Sequence, residues 1–382
     1  MKIRMVDTIT QYETIKEEVD SAVQSVIRSG AYINGPVVKQ FIENLANYLG
    51  VSHVIPCGNG TDALQVALMA LGLKAGDEVI TSSFTFVATA EVIALLGLKP
   101  VFVDVDPTTF NIKPSLIEAA VTEKTKAIIP VHLFGHPADM IPIMEIAQKH
   151  KLFVIEDNAQ AIGANYQMGN GKFVKAGTIG HVGTTSFYPS KNLGAYGDGG
   201  AIFTQDEKIA KQLLAICNHG SERRYYHDSI GVNSRLDAIQ AAILDIKLRQ
   251  LDNYNAARRK AAETYQALLN NVEEILLPIE ATYAHHVYHQ YTIRIKGGRV
   301  LRDAVKAYMD KQEIPAMIYY PVPLHLQKAY QGYGYKAGDL PVTEQLSEEV
   351  LSLPIHSELP GEQIIQVADH IKAALKATKV TG

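Results

Sequence analysis

Ile15, Val19, Val23, Val26 and Ile27 recur at helical spacing and stop at Gly30, which predicts an amphipathic helix near the start of the chain. A different rhythm follows. His53–Cys57, Glu78–Thr81, Pro100–Asp104, Ala127–Val131 and Leu152–Glu156 are short, nearly continuous apolar runs. Helical patterns over Asp62–Leu71, Ala88–Leu96 and Ile141–His150 lie between them, and Gly200–Thr204 reads as the last strand of this half. Apolar strands alternating with helices predict a mostly parallel sheet covered on both faces, an α/β fold.

From Arg235 the period turns helical again. Leu236, Ile239, Ala242, Ile243, Ile246 and Leu251 form one stripe, which predicts a single long arm reaching about Asn270. Beyond it, Tyr288–Ile295 and Ile314–Tyr320 read as strands, with helices at Leu301–Lys311 and Asp369–Ala377. The pattern divides the chain into a large portion, residues 1–250, and a smaller C-terminal α+β portion, residues 251–382.

The 382 residues carry a formal net charge of −4, which leaves no basic footprint for nucleic acid or an anionic membrane. No apolar run is long enough for a membrane span, and Met1–Asp7 lacks the apolar centre of a signal peptide. Two cysteines, Cys57 and Cys217, are too few for a disulfide framework or a cysteine metal site. A cytoplasmic protein is the expectation.

Three segments carry candidate chemistry. Gly58-Asn59-Gly60-Thr61-Asp62-Ala63 fits G-x-G-x-x-A between a strand and a helix. A dinucleotide site would require an acid at the end of the next strand, which instead reads Thr81-Ser82-Ser83. What survives is a glycine turn whose free N–H groups face some phosphate, or else a plain tight turn. Glu156-Asp157 leaves a strand at the rim where open α/β sheets bind ligands; the plainer alternative is a helix cap. Lys191 lies between apolar residues and the glycine-rich Gly194–Gly200, where partial desolvation would make its amine nucleophilic; the plainer alternative is a solvated loop charge. An anion cradle, a rim acid and a lysine are together the parts that pyridoxal phosphate requires for its phosphate, ring nitrogen and aldehyde.

Gly35-Pro36, Gly60–Leu64, Thr85–Thr89, Glu156-Asp157, Ser186–Asn192, Gly197–Gly200 and Asn233–Asp237 together resemble the DegT/DnrJ/StrS family of fold-type-I, pyridoxal-phosphate-dependent sugar aminotransferases. The resemblance spans nearly the whole chain. It implies Lys191 as the cofactor-bearing lysine, Asp157 against the ring nitrogen, Gln160 near the ring hydroxyl and Phe86 on the ring face. Gly60, Thr61 and Ser186 would hold the phosphate. Asn233 would reach the same phosphate from a neighbouring subunit, which implies a homodimer with shared active sites.

The stretches His219–Tyr225, Gly231–Asp237 and Tyr320–Leu324 look most like enzymes that aminate UDP-2-acetamido-2-deoxy-3-oxo-glucuronate for surface polysaccharides such as lipopolysaccharide. The resemblance implies an amino-acid donor, glutamate, and places Arg223, Arg235 and Tyr320 at the substrate. A dTDP-linked 3-keto-6-deoxyhexose and a non-catalytic nucleotide-sugar sensor are the alternatives. His219–His227 reads as a flap over substrate or as a solvated loop. His285, His286 and His289 open a predicted strand, where i and i+4 lie about 13 Å apart, too far to share a metal.

Overall fold

The computed structural model describes residues 2–223 and 225–380; Arg224, within the basic aromatic stretch, lies outside the described residues. Its centre is a seven-stranded sheet in the order β1-β9-β8-β5-β4-β2-β3. The strands are β1 (His53–Cys57), β2 (Glu78–Ser82), β3 (Lys99–Val103), β4 (Thr125–Ile129), β5 (Phe153–Asp157), β8 (Val182–Ser186) and β9 (Gly200–Thr204). The β2–β3, β2–β4, β4–β5 and β5–β8 pairs are parallel; β9 alone runs backward, antiparallel to both β8 and β1. The mostly parallel sheet is therefore as expected.

Its unbroken apolar strands are buried on both sides because neighbouring side chains face opposite ways. Val79 and Ile155 pack beneath α3 (Gly60–Ala70), α4 (Ala88–Leu95) and α7 (Glu207–Cys217). Their neighbours Ile80 and Val154 pack under α5 (Pro114–Ala120) and α6 (Met140–His150). Around β9, Ala201 and Phe203 meet α2 (Pro36–Leu49) and α8 (Ala238–Leu248). The first helix, α1 (Thr8–Ser29), buries Ile15 and Val19 against Ile243 and Ile246 of α8. Gly30 ends α1 at φ 68, the left-handed cap its sequence predicts.

The predicted single arm is two helices, α8 and α9 (Leu251–Leu269), divided at Arg249-Gln250. After α9 comes a second sheet, β10-β12-β13, formed by Ile275–Leu276, Tyr291–Ile295 and Val350–Leu353. With α10 (Gly298–Lys311) and α12 (Gly361–Val380) it encloses a separate core, which Ile3 joins from the start of the chain. Helix α11 (Pro341–Glu349) precedes β13; its Thr343 and Val342 N–H groups are capped by Asp104 from the end of β3. A small sheet pairs β6 (Asn165–Gln167) with β7 (Phe173–Lys175) and with β11 (Ala284–His285).

Ile314–Tyr320 is not the expected strand. Only Met317 bridges to Ser352, because Pro315 offers no N–H and the chain turns away at Tyr319-Tyr320.

Candidate active site

Parallel strands bring their C-terminal ends to one rim, and the chemistry collects there. A cavity of about 840 Å³ opens at this rim. Gly60, Thr61, Phe86, Asp157, Gln160, Ser186, Lys191 and Tyr320 all line it. So do Thr85, Tyr188, Tyr319, His289 and Gln290, which the sequence reading did not assign to a site.

The cradle forms where β1 ends and α3 begins. Asn59 caps the helix, its side chain accepting from the Asp62 N–H at 2.8 Å. That leaves the N–H groups of Gly60 and Thr61 as the open donors of the first turn. Gly60 is required by space: a Cβ there would lie 2.6 Å from the Ser186 Cβ. Ser234 braces the turn from outside, its hydroxyl accepting from the Gly58 N–H at 2.8 Å and donating to the Asp62 carboxylate at 2.6 Å.

On β5 two neighbouring acids take opposite faces. Glu156 is fully buried and accepts from His132 Nε2 at 2.8 Å and from the N–H groups of Gly177, Ile179 and Gly180 at 2.8, 2.6 and 2.5 Å. Every donor it meets is protein, so its work is structural. Asp157 faces the cavity, held by the Thr89 hydroxyl at 2.8 Å and the Ala159 N–H at 3.1 Å.

Lys191 sits in the turn after β8, and burial lowers its pKa to about 8, opposed by the pull of Asp157. An amine so placed is a usable nucleophile near neutral pH. Gln160 is clamped in orientation: its Oε1 accepts from the Phe134 N–H at 2.7 Å, while its Nε2 donates to the Tyr320 hydroxyl at 3.1 Å. Burial pushes the Tyr320 hydroxyl above its ordinary pKa. Phe86 stays 55% exposed, its ring 6.4 Å from that of Tyr320, so it is a cavity wall rather than core. The Thr85 hydroxyl is buried with no partner among the described residues.

Three expected residues are not on this wall. Asn233 is exposed and bridges Asn218 through its backbone; Arg235 is half-buried; Arg223 is exposed, stacked 3.5 Å over the Tyr226 ring. Ser234 is fastened to the cradle, while its exposed neighbour Asn233 does not line its own chain's cavity. The three histidines are apart from one another: His285 is in β11, His286 stacks on Tyr288 at 3.8 Å, and His289 alone of the three lines the cavity, bonded to Asn192.

The sequence model of the DegT/DnrJ/EryC1/StrS aminotransferase family matches residues 13–372. A pleiotropic regulatory protein of Geobacillus stearothermophilus is 50% identical over 97% of this chain and 98% of its own. The UDP-2-acetamido-2-deoxy-3-oxo-D-glucuronate aminotransferase of Pseudomonas aeruginosa is 46% identical, covering 95% of this chain and 97% of its own. The crystal structure of S. venezuelae DesV in complex with a ketimine intermediate matches with a TM-score of 0.93 at 39% identity, over 98% of both chains. The chain belongs to the DegT/DnrJ/EryC1/StrS aminotransferase family. It is a pyridoxal-phosphate-dependent sugar aminotransferase, as the resemblance implied.

The cavity fits that cofactor. A helix start kept open by Gly60 suits a phosphate, Asp157 suits a protonated ring nitrogen, and Lys191 is an amine for an aldehyde.

Proposed function

We propose that this enzyme transfers an amino group from glutamate to a UDP-linked 3-keto sugar of the 2-acetamido-uronate type. The observation that carries the reading is the convergence of Lys191, Asp157 and the Gly60–Thr61 helix start on one cavity. The nucleotide and sugar rest on similarity to the P. aeruginosa enzyme.

Bound pyridoxal phosphate supplies an aldehyde carbon for amines and a ring that withdraws electrons. Gly60 and Thr61 N–H groups and the Ser186 hydroxyl would hold its phosphate. Asp157, oriented by Thr89 and Ala159, would keep a proton on the ring nitrogen. Lys191 would anchor the aldehyde through Nζ. Once free, the same nitrogen would take the proton from the donor's α carbon. Phe86 and Tyr320 would wall the cavity and exclude water, and Gln160 would meet the ring hydroxyl.

The exposed Asn233 supports a dimer in which this residue completes the partner's phosphate site. Arg235 would read a substrate carboxylate from the same segment, since its guanidinium matches a carboxylate bidentately.

The test is to incubate the protein with pyridoxal phosphate, glutamate and a panel of UDP- and dTDP-linked 3- and 4-keto sugars. Mass spectrometry should find the amine on the UDP-linked 3-keto uronate. Amination of a dTDP-linked or 4-keto sugar alone would overturn the substrate reading.

A further inference from the structure

Behind Lys191 lies a buried polar chain that the proposed reaction leaves without a role. Asn192 donates through Nδ2 to the Asn255 Oδ1 at 2.7 Å and to the Val287 carbonyl at 3.1 Å. Asn255 donates in turn to the Ile162 carbonyl at 3.3 Å. Carbonyl oxygens only accept, so both amides are fixed in orientation. The Oδ1 of Asn192 is therefore the atom that faces His289 Nδ1, at 3.3 Å. An amide oxygen cannot donate, so Nδ1 carries the hydrogen. In a neutral ring this leaves a lone pair on Nε2.

The ring is held neutral. His289 is 5% exposed, and burial, then the charges of Lys191 and Arg258, drives its pKa well below the ordinary value. Arg258 is buried directly behind it, donating to the carbonyls of His289, Tyr288 and Ile355 at 3.3, 3.2 and 3.1 Å. Nε2 has no hydrogen-bond partner among the described residues, and His289 lines the cavity it shares with Lys191.

We propose that His289 is a positioning residue whose Nε2 lone pair accepts a hydrogen bond from the Lys191 amine and steers it within the cavity. This rests on Lys191 being the cofactor-bearing lysine. The arrangement is suited to that task. A carboxylate at this position would lock Lys191 as an ammonium. A ring that cannot readily protonate orients the amine without taking its proton.

Two variants separate this from a purely structural role. His289→Asn retains a donor for Asn192 but has no atom in place of Nε2. His289→Gln can retain an acceptor toward the cavity while losing the Nδ1 donor. Competitive acylation of the cofactor-free protein, read by peptide mass spectrometry against pH, gives the titration midpoint of Lys191. Asp157, Asp62, Asp198, Tyr188, Tyr319 and Tyr320 share its cavity and stay constant across the series. An acceptor favours the charged amine, so His289→Asn should lower the midpoint by at least about half a pH unit, while His289→Gln should titrate with the native chain. Any other pattern overturns the proposal. Should His289→Asn fail to fold, ¹⁵N shifts of the native His289 ring decide: a neutral Nδ1–H ring whose Nε2 signal moves in Lys191→Met upholds the proposal, whereas an Nε2 signal unmoved by that change, an Nε2–H tautomer or a charged ring overturns it. Borohydride trapping of pyridoxal phosphate tests the underlying assignment separately. Capture on another lysine removes that assignment, whereas capture on Lys191 with an unshifted His289→Asn overturns the His289 proposal alone.

Discussion

The Thr89 hydroxyl donates to the Asp157 carboxylate at 2.8 Å, tying the first turn of α4 to the end of β5. Both residues are buried, so the carboxylate's aim is fixed by a neighbour that carries no charge. Thr89→Val keeps the shape and removes the donor. A hydrogen bond to a charged group is worth roughly 1.5–3 kcal/mol, so cofactor affinity should fall by at least about tenfold, with the fold intact. Titration of the apoprotein with pyridoxal phosphate, followed by its visible band, checks this; unchanged affinity would show that Asp157 needs no such brace.

Gly60→Ala should give a folded protein with a closed cradle. The added methyl would meet the Ser186 Cβ at 2.6 Å, and the turn would have to widen just where the phosphate sits. A loss of at least about tenfold in cofactor affinity is expected, together with a loss of apoprotein stability of roughly 1–3 kcal/mol from the overpacked contact. Unchanged cofactor affinity in a destabilised apoprotein would mean that the glycine serves packing alone.

Lys247 is 1% exposed, its ammonium donating to the Gly194 carbonyl at 2.5 Å and lying 5.0 Å over the Tyr196 ring. Burial lowers its pKa from 10.5 to about 8, with Arg258 pushing the same way. Between those values the unfolded chain binds the proton more tightly, so stability contributed by this site rises with pH there and is flat below about 8. Relative to Lys247→Met, the native apoprotein should gain up to about 3 kcal/mol between pH 8 and 10.5 in urea melts. A gap that does not change with pH would place the folded pKa at the ordinary lysine value.

Mixed subunits test the exposed Asn233. Chains carrying Lys191→Ala and chains carrying Asn233→Ala should each be inactive or nearly so. Unfolded and refolded together, they should recover about a quarter of native turnover, because half the dimers would be mixed and each would hold one intact site. No recovery in mixed dimers would place Asn233 at its own chain's site or at neither.

Much of this architecture is legible in the sequence because β1 to β5 are apolar runs between amphipathic helices. Strand β8 is not. Val182-Gly183-Thr184-Thr185-Ser186 has no apolar run, and its buried hydroxyls are satisfied by the carbonyls of Glu156 and Asn158, partners that exist only in the folded sheet. The break at Arg249-Gln250 is hidden for the opposite reason: the stripe from Leu236 to Leu251 continues through it, and periodicity is blind to a change of axis. Among site residues, Asp157 and Lys191 stand out beside strand and glycine signals. Thr85, Tyr319 and His289 carry none, because what brings them to one cavity is the meeting of segments far apart in the chain.

Glu156 and Asp157 are adjacent, and strand alternation alone separates them. Shifting β5 by one residue would carry the acid that four donors hold into the cavity and bury the one facing it. Those donors therefore act as an alignment key: the strand fits its slot in a single frame. Insertions or deletions within Phe153–Asp157 should consequently erase function even where hydropathy is preserved, while a conservative exchange at either end of the same strand leaves the frame intact.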